Sequence, residues 1–384
     1  MIQTATPDPT IIPLGLYVHF PWCVRKCPYC DFNSHTHDGA LPQDDYVNRL
    51  VDDLTDELSR VPHRPIESVF FGGGTPSLMT GEALNRFMQC LHDSGRLQDG
   101  AEVTLEANPG TVERQYFADY VRAGVNRFSL GVQSFDDAAL SRLGRIHSGD
   151  DVLRAWDLLT SLDVDRINID IMHGLPEQTP ESALADIEQA LALDPGHLSW
   201  YQLTLEPNTV FYRKPPRLPD EDTLEHIESH GQAMLAEAGY EQYEISAYAR
   251  DGHACRHNQV YWTFGDYLGI GAGAHGKITT GDGIVRTSRT RMPEHYLRAI
   301  DGGRKAHTVT PDDLAFEYML NVLRLKGGAD RSAFTARTGL ATDALEPTRE
   351  QLVRKGLLEA DRDQLTAQGW WFYNDAVGAF LPSE

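Results

Sequence analysis

Short apolar runs alternate with amphipathic stretches through the first half of the chain. Residues 15–20, 66–71, 102–105, 127–132, 166–172 and 198–205 read as strands, rich in β-branched and aromatic side chains. Between them lie stretches with apolar residues at helical spacing. Tyr46, Val47, Leu50, Leu54 and Leu58 make one stripe over 43–60. Further helices are expected over 81–93, over 111–123 with Thr111 as N-cap, around Leu140 and Leu143, around Val152, Trp156 and Leu159, and over 182–193. Strands alternating with helices imply a parallel sheet. The expected fold is α/β, an incomplete (β/α)6 barrel with its ligand groups at the carboxyl ends of the strands.

The pattern then changes. A Pro-rich segment over 205–220 reads as an extended crossing. A helix over 222–238 and a strand over 240–248 follow. The stretch 265–276 is rich in glycine but lacks the strand–turn–helix setting of a dinucleotide site. Helices over 312–326, 331–338 and 344–355, two short strands over 356–360 and 364–366, and a last helix over 367–380 resemble a winged-helix module. The helix over 344–355 is mixed in charge and the wing carries Asp361 and Asp363, so protein contact or a lid over the barrel mouth is expected rather than DNA binding. The expected divisions are a flexible start (1–13), the partial barrel (14–215), an extension (216–309) and the C-terminal module (310–384).

Candidate chemistry begins just after the first strand. Cys23, Cys27 and Cys30 stand in a Cys-x3-Cys-x2-Cys spacing on one loop. Three thiolates so placed can ligate three irons of a cubane cluster and leave the fourth open to a ligand. A zinc site completed by His19, His35 or His37 is the alternative, although no second ligand pair follows. Farther on, Gly73, Glu106, Gln133 and Asp170 recur once per strand end. With Cys23 they would converge at one end of a parallel barrel.

Composition narrows the setting. With 41% hydrophobic and 23% charged residues, the 384-residue chain reads as globular. Acidic residues number 56 against 34 basic, and a net charge of −22 argues against a general nucleic-acid binder. Five cysteines, three of them clustered, are no disulfide framework. The start is neither basic nor apolar enough for a signal peptide, and no run of about 18 apolar residues occurs. A reducing, cytoplasmic setting is expected.

The cysteine spacing resembles the signature of the radical S-adenosylmethionine (SAM) superfamily. The stretches Tyr17-Val18-His19-Phe20-Pro21-Trp22-Cys23, Cys27-Pro28-Tyr29-Cys30-Asp31-Phe32, Gly72-Gly73-Gly74-Thr75-Pro76-Ser77, Gly131-Val132-Gln133-Ser134 and Gly174-Leu175-Pro176-Glu177-Gln178-Thr179 resemble the oxygen-independent coproporphyrinogen III oxidase family, and within it the haem-chaperone branch. The resemblance implies a [4Fe-4S] cluster on Cys23, Cys27 and Cys30, with Tyr17, Gly73 and Glu106 holding the cluster-bound SAM. Gly74, Thr75, Gln133, Arg145 and Asp170 match a second SAM pocket of the oxidase. The oxidase carries Cys-x-Cys from its third ligand, where this chain has Cys30-Asp31-Phe32, and it has a longer N-terminal arm. Both departures count against coproporphyrinogen decarboxylation, which stays the alternative function that the resemblance implies. The chaperone branch shares the Phe and has His-Asn-x-x-Tyr-Trp, here His257 to Trp262. It therefore implies haem as cargo, respiratory membrane haemoproteins as acceptors, and a cluster that supports dimerisation or haem release. His257 is then the haem-associated residue, with Tyr261 and Trp262 against the porphyrin; Cys255 and His253 are its rivals.

Overall fold

The computed structural model describes residues 7–37, 39–110, 115–162, 164 and 166–382. Twelve strands form the main sheet. In chain order they are β1 (Leu14–Phe20), β2 (Ile66–Gly73), β3 (Leu97–Ala107), β4 (Arg127–Gln133), β5 (Arg166–His173), β6 (His197–Gln202), β7 (Glu241–Glu244), β8 (Ala247–Ala249), β9 (Asp266–Ile270), β10 (His275–Thr280), β11 (Gly283–Ser288) and β12 (Lys305–Thr308). Their spatial order is β12-β11-β10-β9-β1-β2-β3-β4-β5-β6-β8-β7. Strands β1 to β6 are parallel neighbours in sequence order. The sheet is open, with β12 and β7 at its two edges.

Helices α1 (Gln43–Arg60), α2 (Gly81–Asp93), α3 (Phe117–Arg122), α4 (Asp137–Arg142), α5 (Gly149–Ser161) and α6 (Pro180–Leu193) connect the parallel strands. Burial explains why the strands read as nearly continuous apolar runs. In β1, Leu14, Leu16, Val18 and Phe20 are buried together with Gly15 and His19. Helices cover one face and polar strand-end residues fill part of the other. Helix starts follow local chemistry: the Ser148 side chain accepts from the Asp151 backbone N–H while Asp151 returns the bond, and Thr179 and Ser182 do the same. The expected cap Thr111 lies outside the described residues, and the helix there is the shorter α3.

Three features differ from the sequence expectations. First, the glycine-rich stretch holds a seventh parallel strand, β9, which pairs with the free side of β1 from Leu14↔Asp266 to Val18↔Ile270. Buried charge anchors it. Asp266 pairs with Arg64 and, at 3.0 Å, with Lys277 Nζ, and it accepts from Thr279 Oγ1 at 2.9 Å. Second, 240–248 is a tight antiparallel pair, β7 and β8, rather than one strand. Third, the C-terminal module is less wing-like. Leu358 and Leu365 form a single antiparallel bridge, while Arg362–Asp363 pairs with Ala329–Asp330. Arg349, one of the charges of the helix expected over 344–355, is buried. It donates to the carbonyls of Glu359, Ala360 and Arg362 and to Asp363 at 3.0 Å, taking up groups that a longer hairpin would pair. The last helix breaks at Phe372 into Ala367–Trp371 and Tyr373–Gly378.

The module has its own apolar core, which extends onto Phe264 and Ile284 of the sheet region. Arg324 pairs with Glu244 at 3.1 Å and Arg286 with Glu317 at 2.6 Å. Among the described residues none beyond 309 lines either cavity described below; the module packs against the flank of the sheet region.

Candidate functional site

The loop after β1 is a small self-closed unit. Cys30 N–H donates to Cys27 O at 3.2 Å, and Lys26 Nζ donates to the carbonyls of Phe32 and Ser34 at 3.1 and 3.2 Å. It presents Cys23, Cys27 and Cys30 to a cavity of about 340 Å³ at the carboxyl ends of the parallel strands. The other strand-end residues named above line the same space: Gly73, Gly74 and Thr75 after β2, Glu106 on β3, Gln133 on β4, Arg145 beyond α4, and Asp170 on β5. All three thiols are free and part-exposed. Burial pushes the Cys23 and Cys30 thiols up, opposed by hydrogen bonds from Thr75 and Ser34.

These residues fit a cluster better than a single zinc ion. The histidines that could complete a zinc site are engaged elsewhere. His19 bonds Tyr17 Oη at 3.0 Å and Asn33 O at 2.9 Å; His35 bonds Asn33 Oδ1 at 3.1 Å; His37 bonds Ala40 O at 3.0 Å. Arg145 Nη1 stands 3.7 Å from Cys27 Sγ.

A second cavity, of about 520 Å³, adjoins the first. Gly73, Glu106 and Phe32 line both, and Tyr17 lines only the second. The candidate residues thus fall into two groups that meet at Gly73 and Glu106. Glycine is required at this junction. Gly73 has φ +121°, and a Cβ there would stand 2.7 Å from the His19 ring; at Gly74 it would stand 2.6 Å from Trp22 O.

The wall between the cavities carries two carboxyl groups, Glu106 and Asp170. Glu106 Oε2 accepts from the Gly73 N–H at 3.2 Å. Burial, with repulsion from Asp170, raises its pKa to about 8. Asp170 is also raised by burial, and it is held by Ser129 Oγ at 3.0 Å and Asn168 Nδ2 at 2.7 Å. Gln133, at φ +71°, accepts from Tyr201 Oη at 2.8 Å. Arg145 donates to Asn108 Oδ1 and to Gly131 O, each at 2.6 Å. A site with neutralisable carboxyls on one side and thiols beside a guanidinium on the other can hold a cationic ligand next to a metal cluster.

The His257 motif lies largely outside the two cavities. Helix α8 (Arg256–Trp262; the helix Glu221–Glu237 before it is α7) packs beneath the sheet. His257 is 2% exposed and lines neither cavity. Its Nδ1 meets Ser68 Oγ at 2.9 Å, its ring stacks on Phe70 with centroids 5.2 Å apart, and burial pushes it down to about 3. Trp262 lies under the Arg324 guanidinium, 4.2 Å from the ring centroid. Cys255, buried, bonds Glu102 Oε1 at 3.5 Å. Only Tyr261 of the motif reaches the second cavity, where it packs on Tyr267 with centroids 4.1 Å apart.

Several lining residues were not singled out from the sequence. Ser199 and Tyr201 on β6 obey the same strand-end rule and could have been found by it. His275 and Arg291 could not, because they reach the second cavity only through β9.

The chain matches the radical SAM superfamily over residues 17–190 and the HemN C-terminal domain over 309–372. It is 49% identical to heme chaperone HemW of Escherichia coli strain K12, covering 96% of this chain and 98% of that one. With heme chaperone HemW of Haemophilus influenzae the identity is 45%, over 98% of this chain and all of that one. Among solved structures, the coproporphyrinogen III oxidase HemN of Escherichia coli, a radical SAM enzyme, has the same fold, with a TM-score of 0.81 at 23% identity over 96% of this chain and 90% of that one. Taken with the cysteine loop and the strand-end residues around it, these likenesses show that the chain belongs to the HemW heme-chaperone family of the radical SAM superfamily.

Proposed function

We propose that this protein is a haem chaperone, which binds haem and delivers it to respiratory haemoproteins. The observation that carries this reading is kinship along almost the whole chain with proteins named for that role. Cys23, Cys27 and Cys30 hold a [4Fe-4S] cluster, which supplies an iron with an open coordination position when bound. Tyr17, Gly73 and Glu106 hold SAM against it. Gly74, Thr75, Gln133, Arg145 and Asp170 serve a ligand in the first cavity. Tyr261 is the contact of the His257 motif with haem, and His257 and Trp262 fix its position from below. The protein works in the cytoplasm, meets its membrane acceptors by docking, and uses the cluster loop in dimerisation or haem release.

Decarboxylation of coproporphyrinogen III is not part of this function. Phe32 is 62% exposed between the two cavities, where it offers an apolar face to a porphyrin and no ligating or redox-active sulfur. The test is anaerobic reconstitution followed by two measurements on one sample. Haem titration should saturate near one equivalent. Incubation with coproporphyrinogen III, SAM and a reductant should yield no protoporphyrinogen IX. Product formed over several turnovers would instead establish the oxidase activity.

A further inference from the structure

Two groups of residues line the second cavity. Glu106 lines it from the strand ends, and Arg291 and His275 line it from the segment beyond β9, with Asp31 of the cluster loop beside them. His275 opens β10, and Arg291 follows β11. Asn33 fixes this segment to the cluster loop: its Nδ2 donates to Ala272 O and to Arg291 O, each at 2.9 Å. The turn between β9 and β10 comes close enough that a Cβ on Gly273, at φ +82°, would stand 2.3 Å from Asn33. The glycine-rich stretch is therefore the means by which His275 and Arg291 approach the cluster loop.

Both side chains lack a partner. Among the described residues the Arg291 guanidinium pairs with no carboxylate, Asp31 of the same cavity included, and the His275 ring makes no hydrogen bond. An arginine that pairs with no carboxylate and borders a ligand-sized cavity offers its charge to an anionic group of the ligand. Burial and the charges of Arg291 and Arg286 hold His275 below its ordinary value, so its ring is neutral and offers one N–H.

We propose that Arg291, seconded by His275, receives a carboxylate of the ligand seated in the second cavity. The inference deepens the haem-chaperone reading and rests on it for its source of carboxylate, a propionate of haem. A propionate presents the planar pair of oxygens that a guanidinium meets with two parallel hydrogen bonds.

The experiment pairs haem with haem dimethyl ester, which lacks the free carboxylates. Both are titrated into anaerobically reconstituted full-length protein, wild type, Arg291→Ala and Arg291→Lys. Arg291 is exposed, so both variants should melt with the wild type. Arg291→Ala should weaken haem binding by about tenfold or more, leave binding of the dimethyl ester unchanged, and be partly rescued by Lys. Equal losses for both compounds, or no loss for either, overturns the proposal. If wild-type protein binds no haem, the chaperone reading fails and the proposal with it; if it binds haem and Arg291→Ala changes nothing, the proposal alone fails.

Discussion

The two adjoining cavities share Gly73 and Glu106 but are built in different ways. The first is made by successive turns of one repeating unit, each parallel strand ending in a residue that faces the same space. The second is closed by β9 and the hairpin beyond it, brought back beside β1 from far along the chain; Asn33 and Ala272, which join its walls, are 239 residues apart. A site assembled by repetition spreads its stability over the whole sheet. A site closed by one returning strand depends on the few contacts that anchor the strand, here the Arg64–Asp266–Lys277 group and the Asn33 clamp.

The largest effect expected is at the loop that serves both cavities. Replacing any of Cys23, Cys27 or Cys30 by Ala should abolish the brown chromophore and the bound iron of the reconstituted protein. Cys90→Ala and Cys255→Ala should retain both. Absorbance and iron content measure this, and a protein that takes up zinc and no iron would refute the cluster assignment.

Next comes the anchor of the second cavity. Asp266→Ala leaves Arg64 and Lys277 buried without their counter-charge and should cost about 3–5 kcal/mol in urea unfolding at pH 7. The sign of its pH dependence follows from the carboxyl. Burial pushes it up, but Lys277 and Arg64 hold it below its ordinary 3.8 in the folded protein. Its contribution is therefore present above pH 4 and lost as pH falls through the folded-state value. Wild type and variant should converge in stability at low pH, and a constant difference would count against the assignment.

Asn33→Ala tests the clamp without touching the sheet. It removes two donations to backbone carbonyls and the contact with His35, and should cost about 1–3 kcal/mol in thermal unfolding. Binding in the second cavity should weaken while the cluster remains. An unchanged melting temperature would mean that the hairpin is held by β9 alone.

The smallest effect belongs to the shared wall. With a pKa of about 8, Glu106 is mostly protonated at pH 7 and must lose its proton to face a cationic ligand. SAM affinity should therefore rise with pH up to about 8, by at most about tenfold per unit, and level off above it. Glu106→Gln should flatten that rise, and a wild-type profile already flat would remove Glu106 from the contact.

Much of this arrangement was legible beforehand. The helix over 43–60 and the strand over 127–132 follow from apolar spacing; the helix bounds agree with those observed, and the strand runs one residue farther, to Gln133. The convergence of Cys23, Gly73, Glu106, Gln133 and Asp170 follows from strand–helix alternation, because parallel strands point their carboxyl ends the same way. His257 shows the limit of a motif. Its neighbours in sequence suggested a ligand; in the fold its Nδ1 meets Ser68 Oγ, its ring stacks on Phe70, and its Nε2 is buried without a partner among the described residues. Arg349 shows the limit of composition: the same guanidinium suits a surface helix or a buried knot of carbonyls, and nothing adjacent in sequence distinguishes them.

The sequence by itself determined the parallel sheet, the cysteine loop and the first cavity. These depend on periodicity and on residues at the ends of consecutive elements, which are local quantities. Tertiary structure alone decided that the glycine-rich stretch becomes β9, that Arg291 and His275 reach the cluster loop, and that His257 is sealed away from both cavities. Those outcomes rest on pairings between distant segments, on the burial of Asp266 between two cations, and on close backbone approaches that only glycine permits. Such pairings leave no period in the chain, because each is made once, between residues that share nothing but their place in the folded protein.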